Sequence, residues 1–107
     1  LTRNNRRNAR ETLRRCGLLD FFEAACILGR ESAAPKPDPE GVRRLLAYWN
    51  ADPQKAVTVG DYLFDLEAGR QAGTATIYVD ITGSGQWAEQ ADVSVRDLGE
   101  LLALAVG

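Results

Sequence analysis

Residues 57–69 read Val-Thr-Val-Gly-Asp-Tyr-Leu-Phe-Asp-Leu-Glu-Ala-Gly, and this stretch decides the fold of the chain. The apolar, β-branched run over residues 56–59 predicts a buried strand that ends at the following glycine. A helical spacing of apolar residues then predicts a helix over about residues 63–72. The stretch therefore predicts a strand, a turn and a helix, with Asp61 and Asp65 at the carboxyl end of the strand.

The two carboxylates have two interpretations at this point. In open parallel sheets ligands bind in the crevice at the carboxyl ends of the strands, and Asp61 and Asp65 would face that crevice. Two hard oxygen donors there suit Mg²⁺, which takes a few carboxylates and keeps several waters. Alternatively, Asp61 caps the helix and Asp65 is a solvated acid in its first turn.

The composition is that of one soluble globular domain. The chain has 107 residues, of which 45% are hydrophobic and 26% charged, and its net charge of −2 favours neither nucleic acid nor an anionic membrane as partner. No apolar stretch is long enough to cross a membrane, and no signal peptide is visible. Cys16 and Cys26 have no metal-binding spacing, so we expect reduced, packed cysteines and a cytoplasmic protein.

Alternating helical and strand patterns predict an α/β fold with a doubly wound, Rossmann-like parallel sheet. The connections are long enough for parallel pairing, and right-handed crossovers would place helices on both faces of the sheet. The predicted strands cover residues 24–28, 56–59, 75–79 and 92–95.

Apolar spacing and capping residues locate the helices. A narrow stripe of Ala9, Leu13 and Cys16 predicts a first helix, whose outer face carries most of the six arginines in the first fifteen positions. The second helix is expected to have Asp38 as its N-cap, Pro39 in its first turn and an apolar face that reaches Trp49. A short helix is expected over 87–90, and Asp97 is expected to cap a final helix.

The same edge of the sheet gathers groups that suit a phosphate. Thr2 precedes a helix whose first N–H groups lack partners, which favours an anion there. Lys36, one of only two lysines, is held between two prolines as a fixed point charge. Taken singly, Thr2 fits a strand-end or N-cap threonine equally well, and Lys36 fits an exposed loop lysine better than a binding residue. Together with Asp61 and Asp65 they predict a site for phosphate and Mg²⁺; Asp80 lies at the same edge.

Three segments of the chain resemble signature motifs of the haloacid dehalogenase-like (HAD) hydrolase superfamily. They are Leu1-Thr2-Arg3-Asn4, Lys36-Pro37-Asp38-Pro39 and Gly60-Asp61-Tyr62-Leu63-Phe64-Asp65, in the family's order and with family-like spacing. The resemblance extends to the predicted helix that ends near Gly73. It implies the HAD core fold and hydrolysis of a phosphomonoester through an aspartyl-phosphate intermediate. The Gly-Asp-x-x-x-Asp form resembles the phosphatase-type members rather than the true dehalogenases.

The resemblance also implies a role for each site residue. Thr2 would donate its hydroxyl to the substrate phosphate, helped by the backbone N–H of Arg3, and Lys36 would stabilise the phosphate and the covalent intermediate. Asp61 would ligate Mg²⁺ directly, while Asp65 would assist through water or orient Lys36. The family more often has an asparagine directly after this Ser/Thr, where Arg3 stands in this chain.

The sequence lacks the first motif of the family, Asp-x-Asp-x-(Thr/Val), which supplies the nucleophile and the general acid/base. In the family this motif lies on the central strand and a helical cap follows it, so we expect both to precede Leu1. Residues 1–107 would then be the C-terminal part of a core domain without its cap, inactive alone. The expected partners are the missing N-terminal segment and a small phosphorylated metabolite, with no nucleic acid and no membrane.

Two other functions stay open from the sequence. One is a non-catalytic phosphate- or nucleotide-binding module on the same doubly wound fold. The other is a phosphosugar mutase of the same superfamily, which uses the same three motifs.

Overall fold

The computed structural model describes residues 1–106. Its helices are α1 (Arg6–Arg15), α2 (Glu40–Tyr48), α3 (Leu63–Ala72) and α4 (Leu98–Val106), and its strands are β1 (Val57–Gly60), β2 (Ala75–Val79) and β3 (Val93–Val95). The strands form one parallel sheet in the order β1-β2-β3. Short 3₁₀ turns lie at Leu19–Phe21, Ala24–Cys26, Pro53–Lys55 and Ala88–Gln90. The predicted α/β, Rossmann-like fold is confirmed.

The core lies where α3 packs against β1, β2 and α2. Parallel neighbours need a crossover connection, and α3 supplies it between β1 and β2. Leu66 of α3 has no exposed surface. Helix α3 ends at Gly73, whose φ of 89° is the left-handed conformation common in helix C-caps. The apolar cluster between α2 and α3 consists of Val42, Leu46, Ala68 and Ala72.

Residues 24–28 do not form the predicted strand. Ala24–Cys26 is a 3₁₀ turn, and the buried Ile27 and Leu28 that follow it lie outside the sheet. The carbonyl of Leu28 accepts a hydrogen bond from the N–H of Thr2 at 2.9 Å. The prediction was wrong because a short apolar run indicates burial, and a buried extended segment has the same pattern as a paired strand.

The second helix begins one residue later than predicted. Glu40 is its first residue and Pro39 takes the N-cap position, while Asp38 accepts a hydrogen bond from the N–H of Glu40 at 2.9 Å. Trp49 is exposed at the C-cap instead of extending the apolar face. At the last helix the predicted cap is confirmed, since the Asp97 side chain accepts a hydrogen bond from the N–H of Glu100 at 2.8 Å.

Helix α1 packs more loosely than its pattern suggested. It has no buried residue: Ala9 and Leu13 are half-buried, and Cys16 is exposed at its C-cap. Both cysteines are free, but the expectation of packed thiols is wrong for Cys16. None of the helices in residues 1–106 is long and apolar enough to cross a membrane.

One face of the sheet is left uncovered around β1. The register places Val59 beside Ile77 and Ile77 beside Val93, so Val57, Val59 and Val93 share a face. These valines are 54%, 44% and 42% exposed. The prediction of helices over both faces is therefore wrong for this region, and within residues 1–106 β1 pairs only with β2.

We expect Leu66→Ala to lower the free energy of unfolding by about 2–5 kcal/mol, because it removes a fully buried side chain and leaves a cavity. Leu102→Ala makes the same chemical change in α4, where the leucine is 62% exposed. Its effect should stay within about 0.5 kcal/mol. Urea denaturation of the two variants measures the difference, and equal losses would contradict this description of the core.

Candidate functional site

The turn between β1 and α3 brings Asp61 and Asp65 to the carboxyl end of β1. Tyr62 is the N-cap of α3, and its N–H donates to Oδ2 of Asp65 at 3.2 Å. A Cβ at Gly60 would collide with the Asp65 side chain, so only glycine permits this approach. Asp61 is exposed and is not the cap of the helix. The alternative in which Asp61 caps α3 is therefore wrong.

Lys36 reaches this turn from the proline-rich loop before α2. Its Nζ lies 2.5 Å from Oδ1 of Asp65, and the two side chains are only 15% and 14% exposed. The Lys36 Nζ is also 3.5 Å from the carbonyl oxygen of Leu1. The Lys36–Pro37 peptide bond is cis. The structure thus joins two of the residues predicted for the site in one partly buried ion pair.

Thr2 does not lie at a helix N-terminus. Helix α1 begins at Arg6, with Asn5 as the N-cap that accepts a hydrogen bond from the N–H of Asn8 at 2.7 Å. The N–H of Arg6 donates to Glu31 at 2.6 Å, so two of the helix's first donors already have partners. The expectation of a ready anion site at the start of this helix is wrong. Thr2 Oγ1 accepts a hydrogen bond from the N–H of Asn4 at 3.1 Å.

Four of the five predicted site residues line one open cavity of about 230 Å³, which we call the acid–base cavity. Thr2 lines a different, more apolar cavity of about 420 Å³ beside α1 and Leu28. Two aromatic side chains that the sequence did not single out complete the acid–base cavity. Its lining residues are Arg3, Lys36, Asp61, Tyr62, Phe64 and Asp65.

The donors in the acid–base cavity differ in how far they are already engaged. Both oxygens of Asp65 accept hydrogen bonds, one from Lys36 and one from the backbone of Tyr62. Asp61 is the exposed carboxylate. In residues 1–106 no three acidic, cysteine or histidine side chains converge as a complete protein cage for a metal would require. The donor set instead fits Mg²⁺, which is held by one or two carboxylates together with water and substrate phosphate.

Asp80, the remaining acid at this edge, has a structural role. It is buried after β2, and it accepts hydrogen bonds from the hydroxyl of Tyr78 at 3.2 Å and from the N–H of Gly85 at 2.9 Å. Burial, followed by the hydrogen bond to Asp80, raises the pKa of Tyr78 above its ordinary value. Asp80 therefore holds the turn that follows β2, and it does not line the acid–base cavity.

Comparison with known proteins shows similarity to phosphate hydrolases. The chain is 38% identical over 91 residues to the pyrophosphatase PpaX of Listeria welshimeri. The matched region covers 82% of this chain and 42% of that protein. It is 37% identical over 93 residues to PpaX of Bacillus velezensis, covering 84% of this chain and 43% of the relative. The chain thus spans less than half the length of these curated relatives.

Solved structures show the same fold. A HAD phosphatase from Thermococcus onnurineus superposes with a TM-score of 0.79 at 28% identity, covering 90% of this chain and 44% of that one. A haloacid dehalogenase-like protein from Agrobacterium tumefaciens, at 19% identity and a TM-score of 0.74, supports the fold alone. The family model for haloacid dehalogenase-like hydrolases matches residues 1–79. The chain therefore belongs to the haloacid dehalogenase-like hydrolase family.

Proposed function

We propose that the protein containing this chain is a Mg²⁺-dependent phosphatase that acts on a small phosphorylated metabolite. The observation that carries the proposal is the Lys36–Asp65 ion pair in the same cavity as the exposed carboxylate of Asp61. A fixed cation beside a hard oxygen donor is what phosphoryl transfer requires, because catalysis there is mostly positioning and charge neutralisation. The names of the relatives, pyrophosphatase and HAD phosphatase, support the same class of substrate.

Lys36 is the proposed binding and catalytic cation, and Asp65 is the residue that positions it. The ammonium group would contact the substrate phosphate and neutralise charge as the phosphoryl group is transferred. Because Asp65 accepts from both Lys36 and Tyr62, it fixes the ammonium group relative to the first turn of α3. The family resemblance implies that Asp65 either orients Lys36 or assists the metal through water. These two contacts favour the first role, and any contact of Asp65 with a metal would be indirect.

Asp61 is the proposed direct ligand of Mg²⁺, and water and substrate oxygens would complete the coordination. When bound, the metal would neutralise negative charge on the phosphoryl oxygens. Thr2 is proposed to donate its hydroxyl to the phosphate, helped by the backbone N–H of Arg3. The hydroxyl oxygen of Thr2 accepts from Asn4, so its own hydrogen stays available as a donor.

The attacking group is proposed to be an aspartate outside residues 1–107. The family's Asp-x-Asp motif is absent from this sequence, and no aspartyl-phosphate forms without it. We propose that residues 1–107 are the C-terminal part of a HAD core domain, whose central strand would pair with the edge of β1. By themselves they would bind phosphate and Mg²⁺ without turnover, and phosphate release from p-nitrophenyl phosphate by this chain alone would contradict that.

We expect Lys36→Ala to weaken binding of inorganic phosphate about tenfold or more, since it removes a charged hydrogen-bond donor. Asp61→Asn should abolish the gain in phosphate affinity that Mg²⁺ provides, so that a chelator weakens binding to the parent chain but not to this variant. Isothermal titration calorimetry with and without Mg²⁺ measures both effects. Asp20→Asn, at an exposed acid outside the cavity, is the matched control, and the metal assignment fails if it behaves like Asp61→Asn.

We expect Asp65→Asn to lower the free energy of unfolding by roughly 1–3 kcal/mol, because it weakens a shielded, charge-assisted hydrogen bond. Glu11→Gln is the matched control, because Glu11 pairs with Arg14 and Arg15 on the surface of α1, where ion pairs contribute little. Denaturant unfolding of both variants gives the comparison. If Glu11→Gln lowers the free energy of unfolding as much as Asp65→Asn does, the Lys36–Asp65 pair stabilises the fold no more than a surface ion pair.

A further inference from the structure

Arg3 is a second cation in the acid–base cavity. It shares the lining with Lys36, Asp61 and Asp65. Its guanidinium carbon lies 5.7 Å from the centre of the Phe64 ring, within the range of a cation–π interaction. Two cations therefore face one cavity. The proposed function assigns the transferred phosphoryl group to Lys36 and Mg²⁺, which leaves the side chain of Arg3 without a role.

The two cations differ in what they already bind. Lys36 is paired with Asp65 at 2.5 Å, which offsets its charge. None of the three salt bridges found within residues 1–106 includes Arg3. An arginine without a carboxylate partner, beside a site for anions, keeps its charge and its fork of donors for a ligand.

Aromatic side chains lie next to the exposed Arg3. Phe64 lies under the guanidinium group, and Tyr62 packs edge-on against Phe64 with 5.1 Å between ring centres. Tyr62 in turn contacts Trp87 at 4.7 Å. A cation–π contact uses none of the N–H donors of the guanidinium group, so these donors stay available to bind two phosphate oxygens together.

We propose that Arg3 makes this site selective for substrates with two linked phosphoryl groups, such as a diphosphate. This inference rests on the proposed function, in which Lys36 and the Mg²⁺ site hold the phosphoryl group that is transferred. Arg3 binds the second phosphoryl group through two oxygens and so distinguishes a diphosphate from a monophosphate. Phe64 positions Arg3 and does not itself contact the anion.

The test compares inorganic pyrophosphate with inorganic phosphate, each titrated into this chain with Mg²⁺ present. We expect Arg3→Ala to weaken binding of pyrophosphate about tenfold or more, and binding of phosphate less than about threefold. Arg3→Lys keeps the charge without the planar fork and should recover only part of the preference. Arg10→Ala, an exposed arginine of α1 outside the cavity, removes the same charge and should leave the ratio of the two affinities unchanged.

Phe64→Leu is a second variant that keeps an apolar side chain in α3 but removes the ring under Arg3. It should reduce the preference for pyrophosphate in the same direction and by a smaller factor. The inference is overturned if Arg3→Ala leaves the ratio of affinities unchanged, or if Arg10→Ala changes it as much.

Lys36→Ala separates this inference from the proposed function. If it weakens both anions while Arg3→Ala alters neither, the site stands and the selectivity is wrong. If it weakens neither anion, the proposed phosphate site fails, and the inference fails with it.

Discussion

The bond between Lys36 and Asp65 is the interaction on which the rest of the site depends. It joins two segments 29 positions apart, the proline-rich loop before α2 and the first turn of α3. Because both side chains are largely shielded, water competes with the pair less than it does with the surface ion pairs of α1. The same loop is also fastened to α3 by Gln71, whose side chain donates to the carbonyl of Pro37 at 3.2 Å.

The Asp65 carboxylate thus links the start of α3 to Lys36. Asp65 satisfies a backbone donor at the start of α3 and holds the ammonium group, and Gly60 provides the space in which it does both. A metal that took Asp65 as a direct ligand would compete with both contacts. Asp61, four residues earlier, is exposed, and this difference is the basis for proposing separate roles for the two acids.

Local signals predicted the β1-α3-β2 unit because strand pattern, glycine and helical spacing agree there, and the order of the family motifs indicated Lys36, Asp61 and Asp65. Two contacts that were not predicted have non-local causes. The side chain of Glu31, 25 positions away, accepts a hydrogen bond from the N–H of Arg6 at the start of α1. The sequence around Thr2 does not indicate this contact. The support of Arg3 by Phe64 depends on packing between separate segments and has no pattern of its own.

The uncovered valines of β1 also bear on how the chain behaves in solution. An unpaired strand edge beside an apolar face is a surface onto which another extended chain can add. Two features limit this here: β1 is only four residues long, and Lys55 and Asp61 place opposite charges at its two ends. Charges that flank a short apolar strand oppose aggregation. The charge of Asp61 therefore opposes self-association of the β1 edge, in addition to the metal-binding role proposed for this residue.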